Sequence, residues 1–486
     1  MTSKAVDVTP MLIGGERRLA ADDGVIDAIN PATGRLIGRF PAATARDVDD
    51  AVTAARSAFP DWSRAEPGER AAALHALADV IDAHAEELAL LDVRDNGSPI
   101  REMRKDAGVA SAQLRYFAGL ILQLRGVTVP TGSGRLNYSI RQPYGVVGRI
   151  IPFNHPLMFA ASKIAAPLAA GNTVIVKPSE HTSLSALRLA DLVSEVLPAG
   201  VVNIVTGYGK VAGDALVAHP DVRRLAFIGA ADTGRAIISR AAEVNIKNIT
   251  LELGGKNPLV VFPDADLDRA VDGALRGMNF TWQGQSCGST SRVLVHADVH
   301  DDFVARLTER VAALRSGAPD DPATDTGAIV NSLQLEKVQQ YVRIGQEEGA
   351  RLAVGGDRLT DGVFADGLFV RPAVFTGVDP VSRLAQEEIF GPVMATMKFH
   401  DYAEAVSIAN NIRYGLTAGV FTRDLAVAHR FAADVEAGYV WVNEVSRHTP
   451  GTAFGGFKDS GLGREEDIEE LESYTQIKNV HINFDN

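Results

Sequence analysis

Cysteine is almost absent: one residue, Cys287, occurs in 486. No disulfide can form within the chain, and a reducing compartment, the cytoplasm, is expected. Positive charge is also short. Asp and Glu number 61 against 48 Lys and Arg, leaving −13, so no broad basic face exists to release counterions from a nucleic-acid backbone, and no nucleic-acid partner is expected. Long apolar runs are missing. The most apolar stretch, 156–176, holds Lys163, Pro167, Gly171 and Asn172, which interrupt a spanning helix and are costly in lipid; it reads as buried helix followed by buried strand, and no membrane association is expected. The segment MTSKAVDVTPMLIGGERR lacks the apolar core of a secretory signal, so export is not expected. None of the 11 His shares a zinc-like spacing with the lone cysteine, and no metal is expected. Internal repeats and low-complexity tracts are not visible.

What is present is globular: 46% hydrophobic and 22% charged residues, in a chain long enough for two large units with small attachments. Val48, Val52, Ala55 and Phe59 share one helical face, and 70–91 is a longer Ala/Leu-rich helical pattern closed by Asn96-Gly97, so the chain is expected to open with helices. From about Tyr144, short β-branched runs alternate with helices: 146–151, 172–177, 201–206 and 223–228. That alternation predicts a parallel sheet with crossover helices. Leu189, Leu192, Val193, Val196 and Leu197 form a stripe that would cover it. After Glu252 a second series follows, with 257–262, 292–297, a helix at 304–314, 420–424 and 439–443, predicting a second α/β unit. Two segments stand apart. Leu136, Tyr138 and Ile140, and later Val480, Ile482 and Phe484, alternate with polar residues as half-exposed strands do. Pairing of the two would make an arm whose apolar face calls for a partner.

Cys287 lies in GQSCGS, among small residues that leave room for a carbonyl to approach sulfur. A lone cysteine is as a rule a small buried hydrophobe, so its surroundings decide. Glu252 lies in LELGGKNP, at the end of an apolar strand. There a carboxylate would be desolvated, raised toward neutrality and suited to take a proton from a thiol or a water; a salt-bridged strand-end Glu is the plainer alternative. Asn154 sits between two prolines in PFNHP. Its amide could donate to an oxyanion, or it is simply a turn residue. The strand 172–177 ends in Lys177-Pro178-Ser179-Glu180, at a carboxyl edge where open α/β sheets bind ligands. Glu180 could accept from ribose hydroxyls and Lys177 donate to them. In FIGAADTG, Gly229 and Gly234 enclose a strand-to-helix turn whose N–H groups suit a pyrophosphate, although the spacing is not the G-x-G-x-x-G fingerprint.

Taken together, these segments resemble the aldehyde dehydrogenase superfamily, in order, from about residue 10 to 483. The resemblance implies that Asn154 is the oxyanion donor, Glu252 the general base and Cys287 the nucleophile. It gives Lys177, Ser179 and Glu180 to the adenosine ribose, FIGAADTG with Gly229 and Gly234 to the pyrophosphate, and EEIFGPV (387–393) to the nicotinamide ribose through Glu388, with Phe390 near the nicotinamide. Phe153, Gly209 and Leu253 complete the implied NAD site, with NADP less favoured. FGGFKDSGLGRE (454–465) resembles a late, mostly structural signature. Three positions depart from the pattern: Ala230 where Ser is frequent, Trp282 where a small polar residue is common, and Ser286 where Cys or Thr often precedes the nucleophile.

The implied fold is α/β: a Rossmann-like cofactor domain (1–126 and 144–253), an α/β catalytic domain (254–469) and a β-strand oligomerisation arm (127–143 and 470–486), assembling as homodimer or homotetramer. The implied reaction oxidises an aldehyde to its acid through a thiohemiacetal and a thioester on Cys287, hydrolysed with Glu252 as base. A CoA-acylating semialdehyde dehydrogenase is the nearest alternative, and a non-catalytic binding or structural relative a more distant one. Met158, Phe159 and Trp282 are expected to line the substrate tunnel, either as core or as walls for an apolar or aromatic aldehyde. Arg447 is the one candidate cation for a charged semialdehyde.

Overall fold

Runs of β-branched residues separated by amphipathic helices form two large sheets in the computed structural model, which describes residues 7–484. Residues 1–6 of the expected cofactor stretch 1–126, and 485–486 of the expected arm, lie outside the described residues. In the first sheet Val146–Ile150 is central. Thr173–Lys177 and Val202–Ile204 follow on one side and Val222–Ile228 and Asn248–Glu252 on the other, all parallel. The strand order reverses beside Val146–Ile150, and ligands enter such sheets at that reversal, outside the carboxyl ends of the strands. The helix Leu184–Val196 covers this sheet with Leu189, Leu192 and Val193 buried, as its stripe predicts.

The second sheet runs Arg351–Val354, Ala373–Thr376, Val393–Phe399, Arg292–His296, Pro258–Val261, Thr417–Phe421 and Tyr439–Val442, parallel except at the Arg351–Val354 edge. The alternating segments pair as expected. Arg135–Pro143 runs antiparallel to Thr475–Asn483 over nine residue pairs, with Thr128–Val129 beside it. A further strand, Gly461–Leu462, leaves the later half of the chain and caps the first sheet's edge against Leu251 and Glu252, which satisfies backbone groups an open edge would expose.

The expectation that the chain opens with helices is corrected. Met11–Ile13 and Glu16–Arg18 form a hairpin, and Val25–Ile29 pairs with Leu36–Pro41. Gly14 and Gly15 both hold positive φ, 63° and 85°, the conformation a tight two-residue turn demands. Helix starts only at Ala45, capped by Thr44. The 70–91 pattern is two helices, Pro67–Ala83 and Ala85–Asn96, the second ended by left-handed Gly97.

The end of Ala85–Asn96 organises what surrounds it. Asp92 accepts from Leu157 N (3.1 Å) and Asp95 from Leu184 N (2.9 Å), so two buried acids serve the first turns of Pro156–Ser162 and Leu184–Val196. These N–H groups have no partner within their own helices. The anchoring matters because the first of these helices follows directly on Asn154, and the second follows Lys177–Glu180.

Candidate active site

Glu252 is the last residue of Asn248–Glu252 and is 5% exposed. Its carbonyl accepts from Gly229 N (3.0 Å), tying it to the neighbouring strand end. Cys287 lies on the loop before Arg292–His296. That loop is tightly bent: Asn279 and Gln283 hold φ of 53° and 54° without being glycine, and at Gly284 (φ 65°) a Cβ would meet Gly391 O at 2.3 Å. Backbone strain of this kind persists only where the surroundings enforce it. Glu252 and Cys287 line one cavity of about 1170 Å³, with Met158, Phe159 and Trp282 in its wall. Asn154 does not line it. It is 3% exposed, and its side-chain oxygen has no hydrogen-bond partner, while the adjacent His155 reaches the cavity.

The electrostatics suit proton transfer. Burial, followed by the charges of Glu252 and Glu388, pushes the Cys287 thiol well above its ordinary range. Burial, followed by Glu465, raises Glu252, with Lys163 opposing. Burial disfavours both charged forms, and the same raised affinity for a proton makes Glu252, once ionised, the stronger base toward the thiol in its cavity. Glu465 is itself held below the ordinary carboxylate range, because Arg149 and Lys163, both at 2.8 Å, outweigh its burial.

At the carboxyl edge of the first sheet, Lys177 is buried and donates to Pro178 O (2.7 Å). Its ammonium lies 3.7 Å from Glu180, whose other oxygen meets Gly209 N at 3.4 Å. Burial would raise Glu180, yet Lys177 and that N–H keep it below its usual range, so it stays an ionised acceptor at the sheet's carboxyl edge. Ser179 is buried, and its hydroxyl accepts from His181 N (3.3 Å). The strand-to-helix turn differs in detail from its sequence reading, since Ala231–Ala242 begins before Gly234. Gly229 N is spent on Glu252 O and Gly234 N on Ala230 O. The N–H groups with no carbonyl inside the helix are therefore those of residues 231–233. Gly234 instead lets the helix approach the strand, because a Cβ there would meet the Leu253 side chain at 2.8 Å. Glu388 lies on bare backbone: Gly255 N donates to it (3.0 Å), and a Cβ on Gly254 would strike it at 2.2 Å. Phe390, at φ 58°, packs edge-on against Phe153 at 5.5 Å.

Two further amides hold the segments of Cys287 and Asn154. Asn257 donates to Cys287 O (2.7 Å) and Ser289 O (3.0 Å) and accepts from Thr417 N (3.0 Å). Asn96 donates to Phe153 O (2.8 Å) and Asn154 O (3.0 Å). Arg447 reaches the cavity wall but is 70% exposed and lies 3.6 Å from Glu444, so its charge is screened by solvent at the rim.

The aldehyde dehydrogenase family profile matches residues 19–480. Aldehyde dehydrogenase tropH of Talaromyces stipitatus is 45% identical over 97% of this chain and 92% of its own length. PnpE from Pseudomonas sp. WBC-3, solved also in complex with nicotinamide adenine dinucleotide, superposes with a TM-score of 0.96 at 43% identity, covering 98% of each chain. The NAD+ complex of an aldehyde dehydrogenase from Bacillus cereus gives 0.95 at 40% identity, over 98% of this chain and 97% of that one. With profile, relatives and fold in agreement, the chain belongs to the aldehyde dehydrogenase family, enzymes that oxidise an aldehyde to its acid.

Proposed function

We propose that the chain oxidises an aldehyde to the carboxylic acid with NAD, Cys287 acting as nucleophile and Glu252 as base. The observation that carries this reading is the single thiol and a desolvated carboxylate lining one cavity. Glu252 takes the thiol proton, and the sulfur adds to the aldehyde carbon. The family resemblance gives the oxyanion of the resulting thiohemiacetal to the Asn154 amide, which stands behind the cavity-lining His155 and not in the wall itself, and to the backbone N–H of Cys287, which is in the wall. NAD, when bound, supplies the hydride acceptor that turns this adduct into a thioester. Once Glu252 has passed the thiol proton on to solvent, it draws a proton from water, the water oxygen joins the acyl carbon, and the Cys287 sulfur leaves as thiolate as the acid is released.

The residues on the cofactor side fit a dinucleotide. Glu180 and Lys177, beside Ser179 and Gly209, would hold the adenosine ribose, and the free N–H groups of 231–233 the pyrophosphate, at a turn shaped by Gly229, Gly234 and Leu253. Glu388, Phe390 and Phe153 would meet the nicotinamide end. The relatives solved with NAD support the choice. Ionised Glu180 would repel a 2′-phosphate, so kcat/KM with NAD is expected to exceed that with NADP, and Glu180→Ala to narrow the gap. A clear NADP preference surviving that substitution would overturn the assignment.

The reading is tested by NADH formation from aliphatic, aromatic and charged aldehydes, with and without CoA. Water-dependent turnover is expected, and stoichiometric alkylation of the one cysteine should abolish it. NADH that requires CoA would favour the acylating alternative, and full activity after alkylation would remove Cys287 from the mechanism.

The proposed division of labour has 1–126 and 144–253 binding cofactor, 254–469 carrying the nucleophile while lending Gly461–Leu462 to the first sheet, and 127–143 with 470–486 joining subunits. Ile477 is 66% exposed and Ile140 37% on the paired arm strands, which supports a homodimer or homotetramer. Among the described residues no helix is long and apolar enough to cross a membrane, and the lone cysteine fits the cytoplasm.

A further inference from the structure

Beside the nucleophile, the cavity holds a second polar device that the oxidation itself does not use. His155 Nδ1 lies 2.7 Å from Asp106 Oδ2, and Asp106 is 3% exposed. A buried carboxylate needs a partner, and the ring supplies it through Nδ1. This fixes the ring's orientation and leaves Nε2, which forms no hydrogen bond among the described residues, on a residue that lines the cavity. Aromatic faces surround it: Phe159 at 5.4 Å edge-on and Trp282 at 5.5 Å. The Trp282 indole N–H has no acceptor either. Both are tied by sequence to the catalytic segments, His155 next to Asn154 and Trp282 on the loop of Cys287. Gln113, 8% exposed and also in the cavity wall, keeps an unpartnered side-chain oxygen.

We propose that the His155–Asp106 pair is a specificity element that selects aromatic aldehydes carrying a ring hydroxyl. The proposal rests on the aldehyde-oxidising reading above and names its substrate class. With Nδ1 held by Asp106, His155 turns Nε2 to the cavity as the atom that hydrogen-bonds a ring hydroxyl, a group able to donate or to accept, while the flat walls of Phe159 and Trp282 match an aromatic ring. A carboxylate-bearing semialdehyde fits less well. Carboxylates outnumber Lys and Arg along this wall, and Lys163 and Lys105 are already engaged by Glu465 and Glu102. The departure at Trp282 thus acquires a role: it closes the aromatic slot around the histidine.

The test compares kcat/KM for 4-hydroxybenzaldehyde, benzaldehyde and 4-carboxybenzaldehyde in the wild type, His155→Phe and Asp106→Asn. The wild type is expected to favour the hydroxylated substrate over benzaldehyde by roughly 10- to 100-fold, the worth of a hydrogen bond to a desolvated, oriented partner. In His155→Phe that ratio should fall toward unity. Asp106→Asn, which keeps the volume but removes the orienting charge, should lower it through the same ring. Because the quantity is a ratio within each protein, a general loss of active enzyme does not imitate it. Equal wild-type kcat/KM for the hydroxylated and plain aldehydes, a preference for the carboxylated one, or a ratio that survives His155→Phe would overturn the proposal while leaving aldehyde oxidation standing. If no aromatic aldehyde is oxidised, the proposal falls; turnover of an aliphatic aldehyde in the same assay then shows that the wider reading holds, and its absence that both fail.

Discussion

Glu252→Gln enzyme given excess aldehyde and NAD is expected to release a burst of NADH stoichiometric with active sites and then nearly stop. Steady-state turnover should fall by about 100- to 10,000-fold, the usual contribution of a positioned general base. The expectation follows from where Glu252 stands. It ends a buried strand, and burial followed by the neighbouring Glu465 keeps it basic, so no solvent carboxylate can replace it. Gln fills the same space and keeps the main-chain bond to Gly229, so the fold should survive while the proton acceptor is lost. Formation of the thioester tolerates this better than hydrolysis, because sulfur can lose its proton slowly to other bases, whereas water at the acyl carbon needs one in place. Acyl-enzyme trapped by acid quench and detected as added mass on Cys287 is the check. Steady turnover near the wild-type rate would remove Glu252 as the base. A mutant with neither burst nor acyl adduct would show that Glu252 is needed already for activation of the sulfur.

The parts of the candidate site that are legible in the sequence are those whose chemistry is local. Cys287 among small residues, Glu252 closing an apolar strand and Glu180 at a strand's carboxyl end each carry a signal within a few residues. The strands 146–150, 173–177 and 222–228 were legible for a related reason, since buried parallel strands read as short β-branched runs. The arm was legible because two-residue alternation survives in strands left half exposed.

What escaped depends on partners far along the chain. Asn257 sits inside the recognised LELGGKNP motif, yet its bracket on the Cys287 carbonyl spans 30 positions, and nothing local distinguishes it from a turn residue. Asn96 shows in the sequence only as a helix terminator, because its grip on Asn154 spans 58 positions. The early hairpin escaped because strands of three residues are too short to show a period, and Gly14-Gly15 was the one usable sign. At FIGAADTG the glycines were legible but their use was not. Only the structure shows that Gly229 and Gly234 spend their N–H groups on the protein and leave the helix's first turn free.

Glu465 closes the list of residues that sequence underrates, and it supports the second large prediction. It is 2% exposed, and it joins Arg149 and Lys163, 1% and 6% exposed, across 316 positions in the first of those pairs. Arg149 also donates to Tyr474 Oη (2.8 Å), and the Arg224 guanidinium lies over that ring at 4.6 Å, so the cluster ties the first sheet to the segment leading into the arm. Glu465→Gln leaves two buried cations without their counter-charge, which should cost about 3–5 kcal/mol and show as a marked fall in apparent Tm. The same substitution should move the chemistry. Burial is the main cause that raises Glu252, and the Glu465 charge is the next; Lys163 pulls the other way. With Glu465 neutral, the repulsion goes and the attraction of Lys163 stays, so the Glu252 pKa falls and the acid limb of the hydrolysis profile moves to lower pH. Loss of stability alone would scale the whole profile down without displacing that limb. A profile displaced to higher pH, or an unshifted limb in protein of wild-type Tm, would show that Glu465 neither anchors the sheet nor tunes the base.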